Sequence, residues 1–486
     1  MAKKKNENRQ GSEGSTENQP SKTIQQPPSL KLEIKLRQRD LPFISMGIRF
    51  RVNVEALNMV ETAGNLTKHR VVPIVVYKNG KYSLKWYPAL SGETLAHAIQ
   101  ANLALLEKKA NGENAKLCYF CSLLEPEFIK HTFLNFFYNL LKNNAVVGWK
   151  DWEKKLFLEG KFEAGYVNET TEGKVEETLV KNCIVEDIGG FLITKAQESR
   201  GEKLPGELNN LTMGVRRTSA FQVSYAIPTE DSLEEASMTD IQMQVRMAPT
   251  ALSLAQNISD EDSTNIQTPY NKEIASTTYS FIFNFDADRV GVSAITNKPL
   301  LDIDERKRRA KLLLDALKLV LDGQFGASKS RYYPFINREF VLAAVSKGDV
   351  LFTVSSPAMK LEDFIEETIA RAVKYVEEFG IEIKLYAWID NSFNKDKKID
   401  TYIKTVVDKY VPQSAKEEPP KPNSTSGSQQ LSKSEETTKI EVLANNVKIG
   451  KGSISITVIV SRSHADLIEK LKEEIEGKQD QNHNKN

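Results

Sequence analysis

The segment Ile48-Arg49-Phe50-Arg51-Val52-Asn53-Val54-Glu55 alternates apolar and polar residues without a break. Because successive side chains of an extended chain point to opposite faces, the alternation predicts a strand with one apolar face. The same pattern places Arg49 and Arg51 on the exposed face of that strand. A strand of this kind needs a sheet beside it and a layer of structure over its apolar face.

The residues that follow predict a hairpin and then a helix. Two β-prone runs, 72–77 and 81–87, flank Asn79-Gly80, a dipeptide that favours a two-residue hairpin turn. Ser91 then caps a helix with three apolar residues on one face, Leu95, Ile99 and Leu103. Strand, hairpin and helix in this order predict an α+β fold.

Later segments repeat both patterns. We expect strands at 279–285, 339–346 and 350–355, and amphipathic helices carrying the apolar stripes Ile129/Phe133/Phe136/Phe137/Leu140, Leu313/Leu317/Val320/Leu321 and Ile365/Ile369/Val373/Val376. Near the C-terminus, residues 439–445 and 453–460 are predicted strands, and a short helix follows from Ala465. Because so short a fragment cannot build its own core, we expect its strands to return to the main sheet.

Composition indicates an ordinary globular protein with disordered segments. The 486 residues contain 66 Lys plus Arg and 65 Asp plus Glu, so nucleic-acid binding would depend on local basic patches and not on the global charge. Residues 1–45, 413–438 and 476–486 are predicted to be disordered, because they are polar and rich in Pro, Ser, Gly, Gln or charge. There is no long apolar run, so we expect a cytoplasmic protein with no membrane partner.

The three cysteines do not form a recognisable metal motif. Cys118 and Cys121 form one CxxC, no second CxxC is present, and Cys183 stands far away in the sequence. Half a zinc site and a redox pair are the functional interpretations. The missing second pair favours reduced thiols at the start of a buried helix.

A short basic loop follows the first strand. Gly64-Asn65-Leu66-Thr67-Lys68-His69-Arg70 combines a glycine with the hydrogen-bonding side chains of Asn65, Thr67, Lys68, His69 and Arg70, and it contains no Asp or Cys. Such groups bind a phosphate backbone without cleaving it. The alternative is a solvated turn in which Asn65 and Thr67 bond to the local backbone.

A second basic loop follows a helix at Gly323. It contains Gly326, Ser328, Lys329, Ser330 and Arg331, together with Tyr332 and Tyr333. Backbone N–H groups, cations and aromatic rings together suit single-stranded nucleic acid. The spacing is not that of a phosphate-binding Walker loop, so nucleotide hydrolysis is not predicted. A plain helix C-cap at Gly323 is the alternative.

Two further basic runs are of unequal interest. Arg216-Arg217-Thr218-Ser219 enters a strand, where adjacent arginines point to opposite faces, so at most one of the two arginines is expected to reach a shared ligand. The run from Arg306 to Lys311 is predicted to be a solvated charged helix face. The five histidines have no carboxylate or cysteine at metal-ligand spacing, and no nucleophile motif is present. We therefore predict no catalytic residue, no metal site and no cofactor.

Several of these segments together resemble a known family. They are residues 48–53 leading into 64–70, the run 87–98 (YPALSGETLAHA), Asp187-Ile188-Gly189-Gly190-Phe191, residues 215–219, and the Lys329-Ser330-Arg331 loop. In this order they resemble the large backbone subunit of the archaeal subtype I-A CRISPR Cascade complex, the DevR-type family of the RAMP superfamily. The resemblance spans about residues 46–360 and resumes at about 440–475.

The resemblance implies an architecture and a function. It implies an RRM-like, ferredoxin-type antiparallel palm over 46–412 and 439–475, with a helical insertion at about 111–182 and a hairpin thumb at about 228–278. Copies would polymerise along CRISPR RNA and present it to target DNA beside other Cascade subunits. They would grip the RNA backbone through residues 64–70, the Arg216-Arg217 segment and residues 326–331. Thumb methionines, Met243 and Met247 among them, would wedge between bases; the alternative is that these methionines fill the core.

Two other functions remain as alternatives. Related backbone subunits of type III complexes cleave RNA with a loop aspartate, but the loop after the first strand here carries Glu61 and no Asp. A transcriptional regulator is suggested by the older family name, but the sequence shows no helix-turn-helix pattern.

Overall fold

The computed structural model describes residues 38–55, 61–63, 66–124, 130, 134–143, 148–162, 165–194, 204–211, 214–233, 240–246, 268–324, 337–412 and 438–477. The strands are β1 Phe43–Glu55, β2 Glu61–Ala63, β3 Leu66–Lys68, β4 Val71–Lys78, β5 Lys81–Pro88, β6 Phe191–Ile193, β7 Val215–Arg217, β8 Phe221–Val223, β9 Ile227–Pro228, β10 Asp240–Arg246, β11 Thr268–Asp286, β12 Asn337–Lys347, β13 Glu382–Asp390, β14 Lys439–Ile449 and β15 Gly452–Ser461. The helices are α1 Gly92–Asn111, α2 Tyr119–Leu123, α3 Leu134–Lys142, α4 Asp151–Glu153 (continued by a π-helical turn, Lys154–Glu159), α5 Thr171–Asn182, α6 Ile184–Gly189, α7 Ile303–Leu321, α8 Leu361–Phe379, α9 Asn391–Lys397, α10 Ile399–Tyr410 and α11 Ala465–Glu476.

The alternating segment lies in β1, inside a large mixed sheet. Its strand order is β14-β15-β13-β12-β1-β11-β3-β2, and β8, β9 and β10 also pair with β11. Most pairings are antiparallel, but β13 runs parallel to β15 and β3 runs parallel to β11. The sheet is therefore mixed, whereas the resemblance implied an antiparallel palm. The structure is a mixed α/β protein with a multistranded sheet.

The chain interleaves two strand–helix–strand units in this sheet. From β1 it passes through α1 to β8, and β11 lies between β1 and β8. From β11 it passes through α7 to β12, and β1 lies between those two strands. Each unit therefore encloses a strand of the other, and the sheet cannot be divided into separately folded halves.

Helices cover both faces of the sheet. Alternate β1 residues, such as Ile48 and Phe50, pack on one face with apolar residues of α1, α7 and α11. On the opposite face, Phe340 and Leu342 of β12 pack against Phe364 of α8 and against α10. A third core joins α3, the α4 segment and α5. These helices lie in the span predicted as a helical insertion.

Several local predictions are confirmed. Asn79 and Gly80 have φ values of 54° and 76° and join β4 to β5. The Ser91 side chain accepts a hydrogen bond from the Thr94 N–H at the start of α1. Beyond residue 438, β15 pairs with β13 along its length, so the C-terminal strands return to the main sheet as expected.

Two local predictions are wrong. Residues 350–355 are not a strand. Within this segment the N–H groups of Phe352 and Val354 bond to the hydroxyls of Ser346 and Ser45, so side chains take the place of a strand partner. Arg49 is buried and not exposed, because α8 and the turn before it cover its face of β1. It donates to the Met359 carbonyl at 2.9 Å and pairs with Asp231.

No helix among the described residues is long and apolar enough to cross a membrane.

Candidate nucleic-acid interface

The basic loop after β1 is fixed along the N-terminal part of β11. Leu66 and Thr67 pair in parallel with Asn271 and Lys272, and the His69 N–H donates to the Glu273 carboxylate at 2.8 Å. Lys68 is half-buried. Asn65 and the side chain of Thr67 lie outside the described residues, so their predicted roles remain predictions.

Arg70 is held beside an exposed aromatic ring. Its Nη1 donates to the Tyr225 hydroxyl at 2.8 Å, and its guanidinium carbon lies 5.9 Å from the ring centroid. The side chain of Tyr225 is 38% exposed. An arginine beside an accessible ring offers a nucleic acid both a cation and a stacking surface. Sequence reasoning missed Tyr225, because it lies 155 residues from Arg70 and no local pattern connects them.

His69 differs from its neighbours in this loop. Its side chain is buried, and burial lowers its pKa below the ordinary value, although the Glu273 carboxylate opposes that shift. A lowered pKa favours the neutral imidazole. Because the side chain is buried as well, we do not carry His69 into the proposed phosphate contacts.

The second basic loop, residues 325–336, lies outside the described residues, and with it Gly326, Ser328, Lys329, Ser330 and Arg331. Its two ends are fixed. The Gln324 carbonyl accepts a bond from Asn102 Nδ2 at 2.7 Å, and Asn337 pairs with Arg51 of β1. Arg51 in turn pairs with Thr278 of β11, six residues from Lys272. By this register Asn337 lies midway along the strand, six residues from Lys272 and seven from Phe285, the partner of Phe221.

The third basic run lies near the C-terminal end of β11. Arg216 is exposed on β7, Thr218 is exposed, and the half-buried Ser219 hydroxyl donates to the Phe221 carbonyl at 2.7 Å. Phe221 pairs with Phe285 of β11, whereas Thr67 pairs with Lys272 of the same strand. Those partners are thirteen residues apart, roughly 40 Å at about 3.3 Å per residue. Only an elongated ligand can contact both ends.

Arg217 points into the protein, away from its exposed neighbour Arg216. Its guanidinium donates to Glu176 at 2.9 Å, to Asp187 at 2.6 Å, and to the carbonyls of Val292 and Arg289 at 2.7 and 2.9 Å. Both carboxylates are fully buried. The expectation that only one of the two arginines meets a ligand fits this geometry. Arg217 is a structural residue, and we remove it from the candidate interface.

Asp187 is the centre of this buried network. Its carboxylate accepts bonds from Arg217, from Arg309 of α7 at 2.9 Å, and from the Gly291 N–H at 3.0 Å. Gly190, nearby, has a φ of 67°, and a Cβ there would lie 2.4 Å from the Arg217 carbonyl oxygen. The Asp187–Phe191 motif therefore fixes the backbone from which Arg216 projects.

The prediction of a solvated face at Arg306–Lys311 is wrong. Arg306 and Arg309 are buried, because their side chains reach carboxylates on other segments. Arg306 pairs with Asp288 at 3.1 Å and with Asp40 at 2.6 Å, and Arg309 pairs with Asp187. A count of charges along one helix cannot reveal partners brought by tertiary contact.

The predicted thumb contains a described hairpin, in which β10 pairs with the first residues of β11. On β10 the side chain of Met243 is 72% exposed and that of Ile241 is 54% exposed. Met243 is therefore not core filler here. Met247 lies outside the described residues, and its wedge role stays a prediction.

Cys183, far from the CxxC in the sequence, lies next to it in the structure. The sulfur atoms of Cys118, Cys121 and Cys183 all lie within 4.8 Å of one another. The three cysteines are free thiols and fully buried. Cys118 is the N-cap of α2, which confirms that the CxxC starts a helix, but in that helix only Cys121 is buried and Leu123 is exposed.

Comparison with known proteins gives consistent matches. The sequence model of the family "CRISPR-associated negative auto-regulator DevR/Csa2" matches residues 46–369. The "CRISPR-associated aCascade subunit Cas7/Csa2 2" of Saccharolobus solfataricus is 30% identical over 335 residues, covering 68% of this chain and 87% of that protein. "CRISPR-associated protein Cas7/Cst2/DevR" of Methanocaldococcus jannaschii is 26% identical over 244 residues, covering 49% of this chain and 68% of that protein.

Solved structures give weaker likenesses. Chains of a "CRISPR RNA-guided surveillance complex" and of such a complex in a pre-nicking state match with TM-scores of 0.30 and 0.38 at 10% identity. They cover 71% of this chain and 88% and 92% of their own. Likeness at this level does not establish a shared fold.

The family model extends over more than half of the chain, and it includes every segment that carried the resemblance before residue 360. The chain therefore belongs to the DevR/Csa2 family of CRISPR-associated proteins.

Proposed function

We propose that this protein is a CRISPR RNA-binding backbone subunit of an archaeal type I-A Cascade complex. Family membership carries the proposal, together with the relative that is named an aCascade subunit and is matched over 87% of its length. In this role the protein binds guide RNA, assembles with copies of itself and with other Cascade subunits in the cytoplasm, and presents the RNA to target DNA.

The distribution of basic side chains supports RNA-backbone binding. Lys68 lies near Lys272 of β11, and Arg216 lies in the strand before Phe221, whose partner Phe285 is roughly 40 Å farther along β11. Arg70 lies between these points, because it contacts Tyr225, and the neighbouring Ser224 N–H bonds to the Ile282 carbonyl of β11. An extended single strand can contact both ends, whereas a compact ligand cannot. Phosphate contacts of this kind position a nucleic acid and leave its sequence to be read by base pairing.

The strand order supports an RRM-like palm. In the ferredoxin-type arrangement two β-α-β units interleave in one sheet, as the β1-α1-β8 and β11-α7-β12 units do here. The β10–β11 hairpin, with its exposed Met243, is our candidate for the thumb that contacts the RNA.

Self-assembly is supported by an exposed apolar surface on the β4–β5 hairpin. Cross-strand partners share a face of a hairpin, and the pairs Val75/Leu84 and Tyr77/Tyr82 are all exposed by 59% or more. Trp86, on the same face, is 60% exposed. A monomer rarely leaves so continuous an apolar strip in water, so we assign it to a contact between neighbouring copies.

A charge-deletion experiment tests RNA binding. We expect the combined change Lys68→Ala, Arg216→Ala and Arg331→Ala to weaken RNA binding and to reduce the slope of log affinity against log salt by roughly 2, since each lost phosphate contact removes about 0.7 for a single strand. Fluorescence anisotropy at several salt concentrations measures both quantities.

A matched control removes the same charge elsewhere. Lys404, Lys448 and Lys470 lie on α10, β14 and α11. We expect their combined replacement by alanine to leave the salt slope unchanged. Equal effects of the two triple variants would show that net charge, and not the proposed surface, governs binding.

The proposal includes no catalysis, and the two alternative functions have distinct outcomes. Purified protein that carries RNA and protects it from nuclease in evenly stepped fragments supports the backbone role. Metal-dependent cleavage of added RNA would instead support a ribonuclease. Tight binding to one duplex promoter, without RNA, would support a transcriptional regulator.

A further inference from the structure

The three cysteines of this chain lie together in the structure. The 486 residues include three cysteines, and the sulfurs of those three lie within 4.8 Å of one another although Cys183 is far from the others in sequence. A buried cysteine often acts only as a small apolar residue. That role explains why each is buried, but it gives no reason for three such residues to converge on each other.

The backbone around the sulfurs is tightly held. Cys118 precedes α2 and Cys121 lies one turn later, and the Cys121 N–H donates to the Cys118 sulfur at 3.5 Å. Cys183 lies between α5 and α6. The adjacent Ile184 N–H donates to the Lys116 carbonyl at 2.9 Å, which joins the segment before Cys118 to the segment after Cys183.

The three sulfurs therefore lie where a long excursion of the chain begins and ends. Residues 119–182 include α2 to α5, and the Cys118–Cys183 contact closes this segment at its base. A bond network at this position would restrain the whole helical segment relative to α1 and α6.

The distances suit a thiolate-bound ion. Around a cation with metal–sulfur bonds of about 2.3 Å, three thiolates lie roughly 4 Å apart. The observed spacing requires at most a small contraction. Apolar side chains of Leu117, Val185 and Ile188 belong to the same buried core as the sulfurs, and they exclude water from the cluster.

We propose that Cys118, Cys121 and Cys183 bind one thiophilic d¹⁰ cation, Zn²⁺ or Cu⁺, as thiolates. Binding transfers one proton from each thiol to solvent and forms three metal–sulfur bonds, without oxidation or reduction. Cu⁺ accepts three sulfur ligands, whereas a structural Zn²⁺ site takes four. Among the described residues no carboxylate or imidazole joins the three sulfurs within 4.8 Å, so three-coordinate Cu⁺ fits the cluster better than Zn²⁺.

Measurements on the unaltered full-length chain test the site directly. After purification under reducing, anaerobic conditions, we expect elemental analysis to find zinc or copper at a metal-to-chain ratio close to unity. After metal removal, added Co²⁺ should produce a thiolate-to-cobalt charge-transfer band. A chain that purifies without either metal, and that shows no such band with Co²⁺ and takes up no Cu⁺, would overturn the proposal.

Variants assign the ligands. Cys183→Ser should lower the bound metal at least tenfold. Val185→Ala, which removes packing from the same core, should retain the metal even if the protein is less stable. If Cys183→Ser does not fold, the measurements on the unaltered chain decide the question; a folded Cys183→Ser protein with full metal content contradicts the assignment.

Discussion

At the scale of the residue, Arg216 and Arg217 show how adjacent identical side chains acquire different roles. They point to opposite sides of β7, so Arg216 faces solvent while Arg217 enters the interior. There Arg217 meets Asp187 and Glu176, which are fully buried. A buried charge is tolerated only when it is paired and hydrogen-bonded, and Asp187 provides this pairing for two arginines.

We expect Asp187→Asn to lower the free energy of unfolding by about 3–5 kcal/mol, because it leaves two buried guanidinium groups without their common carboxylate. Denaturant titration followed by circular dichroism measures the loss. RNA affinity should fall as well, since the backbone that carries Arg216 loses its support.

The control is a carboxylate in an exposed ion pair. Glu469→Gln removes the partner of Lys472 on α11, where the Glu469 side chain is 63% exposed. We expect it to change the unfolding free energy by less than about 1 kcal/mol. Similar losses of unfolding free energy in both variants would show that the buried network stabilises the protein no more than an exposed ion pair does.

At the scale of the element, the β4–β5 hairpin has normal local geometry but an unusual exposed apolar surface. Its turn residues have the positive φ values that the tight turn requires. One of its faces nevertheless carries Val75, Tyr77, Tyr82, Leu84 and Trp86 in the open. Local sequence determines that the hairpin forms, but not what covers that face.

We expect the double change Tyr82→Ser and Leu84→Ser to reduce the size of RNA-bound assemblies in sedimentation velocity, because both side chains lie on the face assigned to neighbouring copies. The unfolding free energy of the free protein should change by less than about 0.5 kcal/mol, since substitutions at exposed positions rarely cost more.

The opposite face of the same strand provides the control. Lys81 and Lys85 alternate with the tested residues along β5. Replacing both with serine should leave assembly size unchanged. If the tested pair and the control pair behave alike, the apolar face is not a contact between copies.

At the scale of the whole molecule, the C-terminal strands complete the sheet from a great distance along the chain. All nine residues of β13 pair with β15. Ile454, Ile456 and Val458 of β15 are buried in the same core as α8 and α10. The C-terminal strands are therefore part of the same sheet and core as β12 and β13.

We expect deletion of residues 438–486 to prevent stable folding. Each fully buried Ile or Val side chain contributes roughly 1.5–3 kcal/mol, and several such losses exceed a typical total stability of about 5–15 kcal/mol. Soluble yield and circular dichroism measure the outcome. Deletion of 478–486 alone is the control, and we expect normal folding. A folded, soluble protein lacking 438–486 would show that the sheet is stable without β14 and β15.

The sequence by itself determined several local elements and the family. Alternation at residues 48–55, the Asn79-Gly80 turn and the Ser91 cap each act through contacts a few residues apart, so their geometry follows from the residues themselves. Ordered motifs along the chain were enough to indicate the family, which the family model then confirmed.

Only the tertiary structure decided which charged and sulfur-containing side chains meet. Arg217, Arg306 and Arg309 are buried because carboxylates arrive from distant segments, and Arg70 lies beside Tyr225 for the same reason. Cys183 joins the CxxC through the closure of a long helical segment. Such contacts depend on the path of the whole chain, and a pattern read over a few neighbouring residues carries no information about it.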